Sequence, residues 1–252
     1  MLLIDFGNTR VKWARWREGQ LLAPLAQAYD DPALAADLEA LSVAEQPGLR
    51  VLRYASVTAP HHVQFVLRPL RAAGFECWRA GPPRSDGLLQ LAYQPLDDLG
   101  VDRWLSLRAL RARGAGSFVL ACAGTALTID VVDAEGRHLG GTIAPSVDRA
   151  REALLARAPH LAKSAAEVEL LAQSTASAVH SGAVLGAVAL IEKLHRHAEA
   201  RCAQPLPLYL SGGGADLLRH WLQSTVQTVE HLVLEGLAGL RPGDSLAPAP
   251  IQ

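Results

Sequence analysis

Asp5-Phe6-Gly7-Asn8-Thr9, with Lys12 three residues further on, follows the apolar run Leu2-Leu3-Ile4 and sets a carboxylate, a glycine turn, a hydroxyl and an ammonium side by side. Each has a use in handling a nucleoside triphosphate. Glycine lets backbone N–H groups approach phosphate oxygens, threonine donates a hydrogen bond, lysine offsets charge, and aspartate holds magnesium directly or through water. Taken alone, the segment reads as an ordinary β-hairpin turn, because Gly-Asn is common there.

Two further glycine segments raise the nucleotide reading. Ala123-Gly124-Thr125-Ala126 interrupts a second apolar stretch at the equivalent place, so two turns facing each other would pinch a phosphate chain. Ser211-Gly212-Gly213-Gly214-Ala215 lies between the apolar Leu208-Tyr209-Leu210 and a helical pattern, where a nucleotide can approach bare backbone at a helix N-terminus. Gly100-Val101-Asp102-Arg103 opens another helix. Helix capping explains Asp102 as well as chemistry does. In a ligand site, Asp102 would accept a proton from a substrate hydroxyl, and the Arg103 fork would clamp a carboxylate.

The elements that must position these groups follow from apolar patterning. Leu2–Ile4, Val11–Trp16 and the residues after Gly19 read as strand, turn, strand, turn, strand, and the pattern recurs from Phe118 through Leu139. Gly19 follows Gly7, and Gly136 follows Gly124, at the same interval of 12 residues, with a glutamate before the second glycine each time. This predicts an internal duplication of one αβ unit. Between and after the hairpins, helices are expected over 31–41, 60–73, 103–113, 147–158, 176–200 and 215–222, with strands at 50–57 and 206–210. Alternating strands and helices predict an α/β architecture of two lobes with a ligand cleft between them. The expected boundaries are 1–114, 115–244 and a loose tail at 245–252 that includes prolines.

Composition narrows the function classes. The 252 residues are 50% hydrophobic and 19% charged, enough apolar material for a sizeable core. Lys+Arg 24 against Asp+Glu 25 leaves a net charge of -1, without the basic excess of a nucleic-acid binder. Cys77, Cys122 and Cys202 lack metal or redox spacing and suit a reducing cytoplasm. Asp5 follows the start too soon for a signal peptide, and the apolar stretch Phe118–Ile129 is too short to span a membrane, so a cytoplasmic protein is expected. His195 and His197 point to different sides of a helix and are expected to be solvated, and His61, His62 and His180 have no metal-spaced partner.

The ordered set Asp5–Lys12, Tyr93, Gly100–Arg103, Gly124–Ala126, Gly140–Pro145, Ser174–Ser177 with Ser181-Gly182, and Ser211–Gly213 resembles the type III pantothenate kinases. These are bacterial members of the actin, sugar kinase and Hsp70 superfamily. The resemblance covers most of the chain. It implies two ribonuclease H-like (actin-like ATPase) lobes with an interlobe nucleotide cleft, and transfer of the ATP γ-phosphoryl group to pantothenate at the start of coenzyme A synthesis. It implies a homodimer in which the partner helps close the pantothenate site, and neither nucleic acid nor membrane as partner.

Carried over by motif, Asp5, Phe6, Gly7, Asn8, Thr9, Arg10, Val11, Lys12, Gly124, Thr125, Gly212 and Gly213 would bind ATP, with Asp5 on Mg2+. Tyr93, Gly100, Val101, Asp102, Arg103 and Thr175 would bind pantothenate, with Asp102 the proton acceptor. Many members carry an acidic ligand for K+ or NH4+ two positions before the Gly-Thr. Cys122 stands there in this chain and is a poor partner for a hard cation, which argues against such activation. A free aspartate, with a pKa of about 3.9, cannot strip an alcohol of its proton before attack, so the carboxylate would orient the hydroxyl. The alternatives are a superfamily kinase for another small hydroxy acid and a non-catalytic dimeric nucleotide-binding regulator. Assays with ATP, Mg2+ and a panel including pantothenate, with and without potassium, separate the three.

Overall fold

The opening apolar run forms β1 (Leu2–Phe6), in which all five residues are buried. Burial on both faces is what a continuous run at the centre of a sheet requires. In this computed structural model, which describes residues 1–43, 50–161, 167–241 and 245–249, the chain divides into two units. Unit 1 is Met1–Gly114 with His231–Gln252, and unit 2 is Ala115–Glu230.

Unit 1 continues with β2 (Arg10–Arg17), β3 (Gln20–Ala28), α1 (Leu34–Val43), β4 (Val51–Ser56), α2 (Pro60–Ala72), β5 (Glu76–Ala80) and α3 (Val101–Ala112). β1 pairs antiparallel with β2 and parallel with β4. Glu18 and Gly19 join β2 to β3 with φ of 52° and 81°, a two-residue turn whose twist matches the strands. Side chains alternate across a strand. Leu2, Ile4 and Phe6 accordingly meet Leu34 and Leu38 of α1 and Val66, Leu67 and Leu70 of α2 in one core. Asp5 points to the other face, the side of α3.

Unit 2 comprises β6 (Phe118–Ala123), β7 (Ala126–Val132), β8 (His138–Pro145), α4 (Val147–Arg157), α5 (Thr175–Cys202), β9 (Leu208–Ser211), α6 (Ala215–Trp221) and β10 (Val226–Thr228). Its sheet order, β10-β9-β6-β7-β8, repeats β5-β4-β1-β2-β3 of unit 1. Both central strands run antiparallel to the second strand and parallel to the fourth. The duplication seen in the glycine spacing is therefore also one of topology, although the second hairpins differ. Gly136 donates to the Asp133 carbonyl and closes a longer turn than Glu18-Gly19. The two units are ribonuclease H-like, the fold of the actin-like ATPases.

After unit 2 the chain returns to unit 1 as α7 (Leu232–Ala238) and β11 (Leu246–Pro248). The second unit thus ends at Glu230 rather than at 244, and the expected loose tail contains a strand. β11 pairs antiparallel with β5 and covers a row of backbone groups that would otherwise form an open edge. Ser245 anchors the crossing: the Gly81 N–H donates to its carbonyl at 2.6 Å and its hydroxyl donates to the Pro82 carbonyl at 2.7 Å. Positions 250–252 of the expected tail lie outside the described residues. α7 packs on α3 at Gly236, where a Cβ would run into the Leu105 carbonyl.

Two further expectations change. His195 is buried, with Nε2 on the Leu206 carbonyl at 2.8 Å and Nδ1 on the Ser224 hydroxyl at 3.3 Å, because it faces the sheet side of α5; His197 is exposed. Among the described residues α5, not Phe118–Ile129, is the segment long and apolar enough to cross a bilayer. Its Val184, Ala187, Val188 and Ile191 pack into the core of unit 2, as a core helix does.

Candidate functional site

In unit 1 the β1–β2 hairpin places its polar groups at the carboxyl end of β1. Register pairs Asp5 with Lys12 and Phe6 with Val11, and the Gly7 N–H closes the turn on the Arg10 carbonyl at 3.0 Å. Asp5 is 4% exposed, and Lys12 Nζ lies 3.4 Å from its Oδ2. Burial pushes the Asp5 carboxyl above its ordinary range; Lys12 opposes the shift and the charge of Asp102 adds to it. The period-two alternation of β1 explains the pairing, since Asp5 faces the side on which α3 begins. Asn8, Thr9 and Arg10 are exposed at the tip of the turn. Phe6 and Val11, expected at the nucleotide, are each 0% exposed with side chains in the core, Phe6 edge-on to Tyr54. Those side chains hold the hairpin down and cannot touch a ligand.

α3 carries the second group of residues. Gly100 is its N-cap and Asp102 lies in its first turn. The Asp102 carboxylate curls back to accept the Arg103 N–H at 2.9 Å, passing so close to Gly100 that a Cβ there would lie 2.6 Å from Oδ1. Asp102 stays half-buried. Arg103 is buried, and its Nη1 donates to the Tyr93 hydroxyl at 3.0 Å while the guanidinium carbon sits 5.4 Å from the Tyr93 ring centre. The fold therefore joins Tyr93 to the Gly100–Arg103 segment, two motifs that are separate in sequence.

In unit 2 the Gly124 N–H bonds the Ala126 carbonyl at 3.0 Å, the counterpart of the bond that closes the Gly7 turn. The glycine segment after β9 lies against the end of β6: the Gly214 N–H donates to the Ala123 carbonyl at 3.0 Å. Gly212, at φ +95°, leaves no room for a Cβ against that same carbonyl. Gly124, Gly212 and Gly213 are exposed and Thr125 half-exposed. This unit thus brings Gly124 and Gly212–Gly214 together. Thr175 stands exposed at the first turn of α5, beside the Ser174 cap. His180, on the same helix, is held below the usual histidine range by burial and by the charge of Arg151.

The donor sets can be tested against two cations. Asp5 offers hard carboxylate oxygen in a buried setting, which suits Mg2+, an ion commonly held by one or two carboxylates and substrate phosphates. Cys122 occupies in β6 the place of Asp5 in β1, in register with Thr128 and Ser211. Its thiol is a soft donor and does not fit K+ or NH4+. Among the described residues no three His, Cys, Asp or Glu side chains gather as a metal site. Tyr29, Thr58 and His62 also gather near the Gly7 turn, a cluster that no motif announces because it comes from the end of β3 and the start of α2.

Comparison with known proteins adds to this geometry. The sequence pattern described as Type III pantothenate kinase matches residues 1–197. A type III pantothenate kinase of Xylella fastidiosa is 38% identical over 94% of this chain and 95% of its own length. One of Xanthomonas campestris is 39% identical over the same shares. Among solved structures, a conserved Baf family protein of Campylobacter jejuni superposes with a TM-score of 0.60 at 20% identity, covering 94% of this chain and 96% of its own, a likeness of fold.

Proposed function

The chain belongs to the type III pantothenate kinase family and phosphorylates pantothenate with ATP at the start of coenzyme A biosynthesis, and we propose that Asp102 is the proton acceptor of that reaction. The observation that carries this is the placement of Asp102 in the first turn of α3, half-buried, within the electrostatic reach of Asp5 and one residue from the Arg103–Tyr93 pair.

In the proposed mechanism the Gly7 turn presents the exposed Asn8 and Thr9, which with Arg10 and Lys12 take the ATP phosphates, and Gly124, Thr125, Gly212 and Gly213 bind the nucleotide. Arg103, fixed by Tyr93, presents a planar fork to the pantothenate carboxylate. Asp102 accepts a hydrogen bond from the primary hydroxyl and aligns its oxygen with the γ-phosphorus. A new O–P bond forms as the bond to the β,γ-bridging oxygen breaks, ADP leaves, and the proton passes to the Asp102 carboxylate. The loose transition state asks little of the nucleophile, so alignment and charge neutralisation supply most of the acceleration. Asp5 would hold Mg2+, which when bound neutralises charge on the β- and γ-phosphates. No role is assigned to a monovalent cation.

The subunit arrangement is a homodimer in the cytoplasm whose partner subunit helps close the pantothenate site, with Thr175 among the residues that bind pantothenate. Support comes from Leu154 of α4, 46% exposed, and from Ile143, 64% exposed on the edge strand β8.

The test is Asp102→Asn. It should lose kcat by roughly 10²–10³-fold, within the range that general acid–base groups supply, while adenylyl imidodiphosphate still binds by calorimetry. Near-normal turnover removes Asp102 from the mechanism. Wild-type turnover should be equal in potassium and in potassium-free tetramethylammonium buffer, and a dependence on potassium would contradict the reading of Cys122.

A further inference from the structure

Both backbone groups of Gly7 are engaged. Its N–H donates to the Arg10 carbonyl at 3.0 Å, and its carbonyl accepts the Tyr29 hydroxyl at 2.9 Å. Tyr29 follows the last residue of β3 and is half-buried. Its ring lies flat on the His62 imidazole, with centres 3.9 Å apart and planes within 2° of parallel. His62 Nδ1 is in turn 3.0 Å from the Thr58 hydroxyl, just before α2 begins, and His61 lies beside it with ring centres 4.1 Å apart. The residue after β3 thus grips one carbonyl of the glycine turn, and residues at the start of α2 brace its ring. Burial, together with the charge of Asp5 and against the Thr58 hydroxyl, pushes the Tyr29 phenol up to about 12, so it stays protonated and able to donate.

Peptide planarity gives this contact a consequence. The Gly7 carbonyl and the Asn8 N–H belong to one trans peptide unit and point in opposite directions. Holding the carbonyl on Tyr29 aims the Asn8 N–H away from Tyr29, and Asn8 is exposed. We propose that Tyr29 is a positioning residue for ATP: its hydroxyl fixes the Gly7–Asn8 peptide plane, and so the direction of the N–H that bonds a phosphate oxygen. His62 and Thr58 hold the Tyr29 ring where it can do this. The proposal rests on the reading that the Gly7-Asn8-Thr9 turn carries the phosphates. A peptide plane preset before ATP arrives spares the reorganisation that a mobile turn would need.

Tyr29→Phe keeps the ring and its stack and removes only the hydroxyl. KM for ATP should rise by about 3–10-fold, the scale of one lost hydrogen bond, with KM for pantothenate unchanged and the thermal midpoint lowered by no more than about 2–4 °C. His62→Ala should move KM for ATP in the same direction. A merely structural role would move both KM values together, and that result, or an unchanged KM for ATP in Tyr29→Phe, overturns the proposal. Amide resonances of 15N-labelled wild type, followed during titration with adenylyl imidodiphosphate and Mg2+, separate the two layers. An Asn8 amide that shifts, with equal nucleotide affinity in Tyr29→Phe, removes Tyr29 alone. An Asn8 amide that does not shift removes the phosphate role of the turn and the proposal with it.

Discussion

Asp5 shows how a single side chain trades stability for chemistry. Its folded-state pKa is raised above the unfolded value by burial, with Asp102 adding to the effect and Lys12 only partly offsetting it. The native state therefore binds the Asp5 proton more tightly than the unfolded chain does. The cost to stability is fully present above the folded pKa and is relieved as pH falls through it, disappearing below the ordinary carboxyl range. Asp5→Asn, which cannot ionise, should raise the thermal midpoint at pH 7. It should also abolish most turnover. Melting curves of the two proteins should converge as the pH approaches the unfolded carboxyl pKa, and a variant that melts lower than wild type at pH 7 would show that the Lys12 pair outweighs burial. The same pattern of a stabilising but inactivating change is common where function keeps a charge buried. At this scale the motif residues Asp5, Gly7 and Lys12 were legible because hairpin register is local. Tyr29 and His62 were not, since their contact depends on where β3 ends and how α2 lies on the sheet.

At the scale of elements, the patterns that marked β1, β2, β4, α2, α4 and α5 had a period strong enough to fix type and near-boundaries. β5, β10, α7 and β11 carried no such signal. They are comparable in length to β9 and α6, but no glycine run like Gly212–Gly214 lies between or beside them to mark where one element stops and the next starts. β11 is the instructive case, because Pro248 reads as part of a loose end, whereas proline is tolerated on an edge strand whose N–H would face away from the sheet. Deleting 245–252 should remove the β5 pairing and the Ser245 anchors, lowering the thermal midpoint by about 5–10 °C if 2–3 kcal/mol are lost. Hydrogen exchange should then speed up at Cys77–Ala80 first. Unchanged melting would mean that the strand contributes nothing. In unit 2 the glycine run after β9 was legible as a close approach of backbone, and the tertiary structure showed to what: the end of β6, across the carbonyl of Ala123.

For the molecule as a whole, the proposed dimer is open to direct measurement. Light scattering should give about twice 26.9 kDa for wild type, and Ile143→Glu with Leu154→Glu should give a monomer, since a charge buried in an apolar interface is strongly disfavoured. If the partner helps close the substrate site, the monomer's KM for pantothenate should rise more than its KM for ATP. A fully active wild-type monomer would remove the dimer from the function. The duplication, the α/β class and the family were written in the chain, because they rest on periodic burial and on short motifs whose geometry is set within a few residues. Tertiary structure alone decided that the last segment returns to unit 1, that Phe6 and Val11 are core, that His195 is buried, that Arg103 reaches Tyr93, and that Tyr29 grips the Gly7 carbonyl. Each of these is a contact between different elements, at least 10 residues apart in the chain, and such contacts are selected by the packing of whole sheets and helices, which no local pattern of residues encodes.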